Sequence, residues 1–324
     1  LKGPTTMTNI LVFLARHGRY VLVVGLVAGF LLPEVAQRLR LYLPQMIIFL
    51  LFITAFRIGP VDAVAGISQG FGVLKIAVFL QLIIPLIVMG LMILLGFSGT
   101  TLGIAILLML AAPSVTAAPN ITILLGHDPE PAFRLFIVGT AILPLTIVPI
   151  FWLSPDLGNL LGALLAAVRL LAAIWCAVIA AFILRKITAP ILTMQQTKSV
   201  DGFTSLVLAV VVIGLMSAVA PTLSVNPYLV LGWVCVAVVA NMGSQIITYI
   251  IMLKLGWTTL AVPSSVVAGN RNFALFLIAL PASTTDPLLI FLGCYQLPMY
   301  LTALVMSPVY NSKLKYKFRR FKKD

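Results

Sequence analysis

Apolar runs long enough to cross a bilayer recur along the whole sequence, and short polar stretches separate them. Only 9% of the residues are charged, whereas a soluble domain has about 25%, and the mean hydropathy is +1.16. The short alternating segments that a transmembrane β-barrel needs do not occur. The sequence therefore predicts an all-α membrane protein that crosses the bilayer many times.

Ten such runs can be delimited, and they divide the chain into two halves of five. They are Tyr20–Leu32, Leu41–Phe56, Val73–Leu95, Leu102–Leu125, Phe133–Leu153, Leu157–Leu184, Phe203–Ala220, Tyr228–Leu253, Leu260–Leu280 and Leu288–Val309. We predict a first half at residues 7–153, a second half at 154–311 and a tail at 312–324. Residues 1–6 are interpreted as an added segment. We expect no cleavable signal peptide, because the first run lacks a small-residue cleavage site.

The basic residues are distributed unequally between the two sides of the predicted membrane. With both termini in the cytoplasm, seventeen of the 21 Lys and Arg residues fall inside, and only Arg38 and Arg40 fall outside. This satisfies the positive-inside rule. The formal charge of +13 is therefore attributed to topology and, at the tail, to contact with anionic lipid headgroups rather than with nucleic acid. We expect a multi-pass protein of a bacterial inner (plasma) membrane.

Sequence motifs of catalysis and cofactor binding are absent. Cys176, Cys235 and Cys294 lie singly in different segments, so neither a disulfide framework nor a zinc site is indicated. No Walker A motif occurs, which argues against ATP-driven transport by this chain alone. We expect neither an enzyme nor a bound cofactor.

Short motifs recur between the two halves. Ala112–Asn120 reads APSVTAAPN and Val262–Asn270 reads VPSSVVAGN, so Pro, Ser, Ala and Asn coincide at a shift of 150 residues. Gly139–Pro144 and Gly293–Pro298 share Gly, Leu and Pro at a shift of 154. A duplicated unit of five spans reverses its direction through the bilayer. We therefore predict two inverted repeats, as in many secondary transporters with a site at the membrane midplane.

The fourth and ninth segments, which carry the first motif, are predicted to be broken. Their Pro and Gly residues weaken helical hydrogen bonding, and freed backbone groups persist in a membrane only where protein or a wet cavity satisfies them. The N–H groups of half-helices there would attract an anion. The alternative is that the prolines only kink two helices for packing. We favour a site, composed of Pro113, Ser114, Thr116, Asn120, Thr122, Pro263, Ser264, Asn270, Arg271 and Asn272.

At these residues the sequence resembles the bile acid:sodium symporter family, over about Thr8 to Tyr310. Pro113–Thr122 (PSVTAAPNIT) is similar to the family pattern P-G-G-T-A-S-N-x-x-T, and Ala268–Leu275 (AGNRNFAL) is similar to E-x-G-x-Q-N-S-G-L. Gln81 stands four residues before a proline, as in a family Q-x-x-x-P context. The resemblance implies ten helices in two inverted repeats, with helices 4 and 9 unwound where they cross. It also implies a panel of helices 1, 2, 6 and 7 and a core of helices 3–5 and 8–10.

The positions that would bind sodium in that family are mostly altered. The family's Ser and Asn fall on Ala118 and Pro119, its Glu falls on Val267 and its Gln on Arg271, while Gln81, Thr116 and Asn272 remain. All eight acidic residues of the chain lie in loops, segment ends or the tail. A sodium ion beside Arg271 would be repelled in a low dielectric. We therefore expect the usual coupling to two sodium ions to be lost.

Arg271 needs a compensating role, because an arginine at the midplane costs roughly 2.5–3.5 kcal/mol on insertion scales. It could replace a cation by donating to Gln81, Thr116 or unwound carbonyls. It could instead bind a substrate carboxylate or sulfonate, or it could snorkel to an interface. Its position midway along Leu260–Leu280 favours the first two roles, which are compatible with each other.

Three further polar residues are predicted to support the site. Asn241 and Gln245 are spaced i, i+4 and share one helix face, which either points at the crossing or hydrogen-bonds neighbouring helices. Gln296, beside Pro298, has the same two interpretations.

We predict a secondary carrier of small organic anions, carboxylate or bile-acid-like, that works by alternating access with its substrate between panel and core. Uniport or exchange would replace sodium symport, and proton coupling is less favoured because no buried Asp, Glu or His offers a proton carrier. One alternative is a sodium symporter with ligands rearranged to Asn120, Thr122, Asn270, Asn272 and Gln81. Another is a receptor or an anion channel on the same fold.

Overall fold

The structure is a computed structural model that describes residues 6–68, 71–154, 157 and 160–311. Within these residues the chain forms helices and the turns between them, with one isolated antiparallel bridge. The predicted added segment, apart from Thr6, and the predicted basic tail fall outside the described residues.

The helices follow the predicted apolar segments with small differences at their ends. In the first half they are α1 Thr6–Arg16, α2 Gly18–Leu31, α3 Pro33–Arg40, α4 Leu43–Ile58, α5 Pro60–Ser68, α6 Phe71–Val78, α7 Ile84–Leu94, α8 Thr101–Ala111, α9 Ala118–Leu124 and α10 Glu130–Leu153. In the second half they are α11 Leu160–Thr188, α12 Met194–Leu215, α13 Val219–Val225, α14 Pro227–Lys254, α15 Thr258–Gly269, α16 Phe276–Ala279, α17 Ala282–Thr285 and α18 Leu289–Asn311. A π-helical turn at Phe79–Ile83 joins α6 to α7.

Six helical stretches of the described chain are long and apolar enough to cross a membrane, and the number rises to eight if each of two bent pairs counts as one span. The bent pairs are α1 with α2 and α3 with α4. Two shorter apolar helices, α8 and α15, belong to the segments that were predicted to be broken. The prediction of an all-α chain is confirmed for the described residues, and the long apolar helices indicate an integral membrane protein.

The chain divides into two compact units. Among the described residues, unit 1 comprises 6–64, 168–231 and 277–294, and unit 2 comprises 65–68, 71–154, 157, 160–167, 232–276 and 295–311. Unit 1 is organised around α12, which packs against α1, α2, α3 and α4. Small residues allow the close approach: a Cβ atom on Gly25 of α2 would lie only 2.7 Å from the Ala209 carbonyl oxygen of α12.

One arginine in unit 1 closes the carboxyl end of α4. Arg185 donates hydrogen bonds from Nη1 to the carbonyl oxygens of Phe56, at 2.5 Å, and of Arg57, at 3.0 Å. Its guanidinium also lies 5.8 Å from the centre of the Phe56 ring. These carbonyls have lost their helical donors, so the cation satisfies them and meets the negative end of the helix.

Unit 2 contains the interrupted segments and therefore the candidate site. Its helix α10 packs against α6, α9 and α15. The buried Gln81 of the π turn donates from Nε2 to the Gly139 carbonyl of α10 at 3.2 Å. A Cβ atom at Gly139 would lie 2.6 Å from Gln81 Oε1. Gly139, one of the repeated-motif glycines, is thus required for the close packing of Gln81.

Both predicted breaks are present, but they do not lie at equivalent motif positions. The fourth segment is interrupted between α8 and α9, so Pro113 follows a helix end and Pro119 stands in the first turn of the next helix. In the ninth segment α15 continues through Pro263 and ends at Gly269. The equivalence of Pro113 with Pro263 is therefore wrong at the level of local structure. The helix starts, Thr101 and Thr258, lie 157 positions apart rather than 150.

Candidate functional site: the crossing of two broken segments

The two interrupted segments meet as a short antiparallel pair of extended chains, which we call the crossing (113–115 and 270–272). Ser114 and Arg271 form its bridge. The Val115 N–H donates to the Asn270 carbonyl at 3.0 Å, and the Asn272 N–H donates to the Pro113 carbonyl at 2.8 Å. The crossing therefore satisfies four of the backbone groups that the ends of α8 and α15 leave open.

The Arg271 side chain lies inside this arrangement and is only 3% exposed. Its guanidinium donates to three main-chain carbonyl oxygens: Nε to Ala268 at 2.9 Å, Nη1 to Ala112 at 2.8 Å and Nη2 to Leu80 at 3.2 Å. The predicted donation by Arg271 to unwound carbonyls is present. The predicted donation to Gln81 or Thr116 is not among these three bonds. Snorkelling to an interface does not describe this side chain.

Two of the three carbonyls belong to helix carboxyl ends. Ala112 directly follows α8, and Ala268 lies in the last turn of α15. In a continuous helix the Asn272 N–H would donate to the Ala268 carbonyl. Here it donates to the Pro113 carbonyl instead. Each helix end carries about half a negative charge. Two such ends on one guanidinium make a site that favours a positive charge.

The third carbonyl is freed by the sequence of the seventh helix. The Ile84 N–H donates to the Phe79 carbonyl, five residues back, so it is not available to Leu80. The next residue, Pro85, has no N–H. The Leu80 carbonyl consequently has no donor within its own helix, and Arg271 supplies one. The π turn and the proline together leave the Leu80 carbonyl oxygen free to accept a hydrogen bond from Arg271 at the crossing.

A chain of neutral polar groups from α14 and α18 supports the other side of the crossing. The Tyr310 hydroxyl donates to Gln245 Oε1 at 2.9 Å, and Gln245 Nε2 donates to Asn241 Oδ1 at 2.7 Å. Asn241 then donates to the Gly269 carbonyl. The Tyr295 hydroxyl also donates to that carbonyl and accepts the Arg271 N–H at 3.3 Å. Asn241 and Gln245 thus do both things proposed for them: they face the crossing and they hydrogen-bond a neighbouring helix.

A cavity of about 560 Å³ lies beside the crossing within unit 2. Its walls come from α7 and the π turn, from α8 and from α14, and Ala268 and Arg271 line it as well. Most wall residues are aliphatic. Arg271 is the charged group among the described lining residues, so the cavity combines an apolar body with a single cationic contact.

The structure gathers only part of the predicted site. Ser114, Asn270, Arg271 and Asn272 form the crossing with Pro113, and Thr116 is half-buried in the break before α9. Asn120 is exposed, and Thr122 bonds back to the Ala118 carbonyl of its own helix. Other predicted positions lie inside or at the start of helices: Pro263, Ser264 and Val267 within α15, and Ala118 and Pro119 at the start of α9. Gln296 is buried in α18.

The residues that sequence reasoning missed act mainly through their backbones. Leu80, Ala112 and Ala268 contribute carbonyl oxygens, which no side-chain motif reveals. Tyr295 and Thr302 contribute hydroxyls; the Thr302 hydroxyl lies 3.0 Å from Asn270 Oδ1. Tyr295 stands inside the repeated motif Gly293–Pro298, so that motif was the available signal.

Acidic side chains do not compensate Arg271 in the part of the chain that the structure describes. The ion pairs there are Arg40 with Asp286, Arg57 with Asp201, and Arg134 with Glu130. Nor do the described residues contain a cluster of His, Cys, Asp or Glu suited to a metal ion. The charge of Arg271 is thus balanced by carbonyl dipoles and helix ends.

A scan of the sequence against models of known protein families gives no match, and a search of curated proteins finds no significantly similar relative.

Proposed function

We propose that this chain is a secondary transporter of organic anions that works by alternating access, with Arg271 permanently occupying the place of a cation at the crossing. The single observation that carries the proposal is the bonding of one guanidinium to three carbonyl oxygens from three separate helical elements. The family resemblance, with ten helices in two inverted repeats, is part of the same proposal.

The crossing supports a transporter because its broken helices are buried within a compact unit. Interrupted helices in a bilayer are tolerated where protein or a cavity satisfies their backbone, and in secondary transporters they form the substrate site. Here α8 with α9, and α15 with α16, would each form one interrupted span. Added to the eight spans counted with the bent pairs, they give the ten of the proposed fold.

The electrostatics of the crossing support the loss of sodium coupling. Carbonyl oxygens are ligands that sodium would use, but here they already accept hydrogen bonds from a fixed cation. A second positive charge about 4 Å from the guanidinium would be repelled by about 4 kcal/mol at an effective dielectric constant of 20. The rearranged ligand set is not favoured either, because Asn120 is exposed and Thr122 bonds within its own helix.

The choice of an organic anion follows from the cavity. A guanidinium offers five N–H donors in a planar fork that suits carboxylates and sulfonates, and Arg271 lines an otherwise largely aliphatic space. With the described Asp, Glu and His residues placed away from the hydrogen bonds of the crossing, uniport or exchange is proposed rather than proton coupling.

Counterflow in proteoliposomes tests this function. Vesicles are loaded with unlabelled taurocholate, benzoate or succinate, and uptake of the labelled compound is followed with sodium or choline as the only external cation. We expect saturable counterflow of at least one probe at equal rates in the two cations. Ohmic anion current would identify a channel, and tight binding without flux would identify a receptor. Arg271→Gln should lose this counterflow, whereas Arg38→Gln, at an exposed position, is the matched control and should retain it.

The proposed topology places both termini in the cytoplasm of a bacterial inner membrane. It is supported by the distribution of Lys and Arg in the sequence. Reporter fusions that are active only in the cytoplasm or only in the periplasm, attached after Asn311 and after Arg40, test it. Activity of the cytoplasmic reporter at Arg40 would refute this orientation.

A further inference from the structure

Arg271 has hydrogen-bonding capacity that the described residues do not use. Its guanidinium carries five N–H donors, and three of them bond to Ala268, Ala112 and Leu80. The other two have no acceptor among the residues that the structure describes. Arg271 is among the residues that line the cavity, so an anionic head group placed there would lie beside the residue that carries these donors.

The cavity walls specify the rest of such a ligand. Apart from Arg271, the polar side chains on the walls are mainly Ser244 and Thr248, spaced i, i+4 on one face of α14. The remaining walls are mostly Leu, Ile, Val, Met and Ala side chains. A small hydrated anion would leave this apolar surface unfilled, and a neutral hydrocarbon would leave the two N–H donors unpaired. The walls therefore favour one charged head attached to an apolar chain.

The rim of the cavity is apolar as well. Two wall residues of α14, Val239 and Ile247, are 71% and 58% exposed, and Cys235 on the same helix is exposed. Exposed aliphatic side chains on a membrane-spanning helix are surfaces that acyl chains contact. The volume of about 560 Å³ falls in the range of roughly 300–1,000 Å³ typical of a site for one small ligand, which suits one acyl chain rather than the two of a phospholipid.

We propose that this cavity binds a medium-chain monocarboxylate, whose carboxylate accepts from Arg271 and whose chain lies between α7, α8 and α14 after entering from the bilayer. This names the substrate class of the site and rests on the proposed function only for the claim that the ligand is transported. Binding itself can be measured without transport.

Cys235 provides a reporter because it lines the cavity and is exposed. In a Cys176→Ser, Cys294→Ala background, purified protein in nanodiscs of zwitterionic lipid is labelled with N-ethylmaleimide in the presence of dodecanoate. When the probe is at twice its Kd, the unoccupied fraction falls to about one third, so labelling should slow about threefold. Butyrate, which has the head without the chain, and dodecanol, which has the chain without the charge, should protect much less.

Two glycines of α14 give a matched pair of variants that leaves Arg271 intact. Gly243 lines the cavity and Gly232 does not, and a Cβ atom at either position would meet no neighbouring atom within 4 Å. Gly243→Leu should fill the cavity and abolish protection by dodecanoate, whereas Gly232→Leu should leave it unchanged.

Equal protection by dodecanol and dodecanoate would overturn the proposal, because it would show that the carboxylate is not recognised. Equal protection by butyrate, absence of protection, or protection that survives Gly243→Leu would overturn it too. Protection without dodecanoate counterflow would leave the binding site established and refute its role in transport. Counterflow of another anion without protection of Cys235 by dodecanoate would support the transport function and refute this binding site.

Discussion

Nη2 of Arg271 donates a hydrogen bond of 3.2 Å to the carbonyl oxygen of Leu80, which lies 191 residues earlier in the chain. This carbonyl is free because the π turn diverts one helical donor and Pro85 removes the next. A backbone defect in one half of the protein is thus completed by a side chain from the other half. The same guanidinium satisfies the ends of α8 and α15, so one residue joins three elements of unit 2.

Replacing Tyr295 by phenylalanine should destabilise the crossing. Its hydroxyl donates to the Gly269 carbonyl and accepts the Arg271 N–H, and a buried donor left without a partner costs about 1–3 kcal/mol. We expect a lower midpoint of thermal unfolding in detergent. Tyr300→Phe is the control, because the Tyr300 hydroxyl is buried without a hydrogen-bond partner among the described residues; its removal should be neutral or stabilising. Equal effects of the two variants would contradict the assigned network.

Gly269→Ala should be poorly tolerated. An added Cβ atom would lie 2.4 Å from the Asn241 carbonyl oxygen and 2.3 Å from Gln245 Cγ, both on α14, and the backbone oxygen cannot move aside without shifting the helix. Overpacking of this kind costs about 1–3 kcal/mol. At Gly232 the Cβ would meet open space, so Gly232→Ala should stabilise α14 slightly through helix propensity. Chemical denaturation of the purified variants measures both, and a stable Gly269→Ala protein would show that α14 does not pack this closely on the crossing.

Arg185→Ala should weaken unit 1 without affecting the crossing. The substitution removes the donors to Phe56 and Arg57 and leaves the end of α4 open. We expect a loss of about 0.5–1.5 kcal/mol of stability, the net contribution of a typical hydrogen bond, because the two acceptors are only partly buried or exposed. Lys186→Ala, at the neighbouring exposed position, should change little. Hydrogen exchange at the carboxyl end of α4 is the local readout, and unchanged protection there would refute the cap.

Much of the helical architecture and the position of both breaks could be predicted from local chemistry. Proline and glycine act on their own turn, so Pro113 and Gly269 predict interruptions where the structure has them. Pro263 shows the limit of this reasoning, because a helix in a protein interior accommodates a single proline when neighbouring groups satisfy the freed carbonyl. The motif shift of 150 residues therefore did not give the structural correspondence between α8 and α15.

The chemistry of the site was harder to predict than its place. The sequence shows that Arg271 needs acceptors, but it does not show which carbonyls are free, because that depends on hydrogen bonds between distant segments. The freed Leu80 carbonyl had a local signal in Pro85, four residues after Gln81. The exposure of Asn120 had none, since it depends on how α9 packs.

The most direct test of the central claim is the melting temperature of the purified protein in sodium, potassium, choline or low-millimolar guanidinium chloride at constant ionic strength. It is measured for wild type, Arg271→Ala and the exposed control Arg38→Ala. A ligand that binds only the folded state raises its stability by mass action. We predict that wild type and Arg38→Ala melt at the same temperature in sodium as in choline, and that Arg271→Ala melts lower and is restored in part by guanidinium. A specific stabilisation of the wild type by sodium, or an Arg271→Ala variant as stable as wild type, would contradict the account.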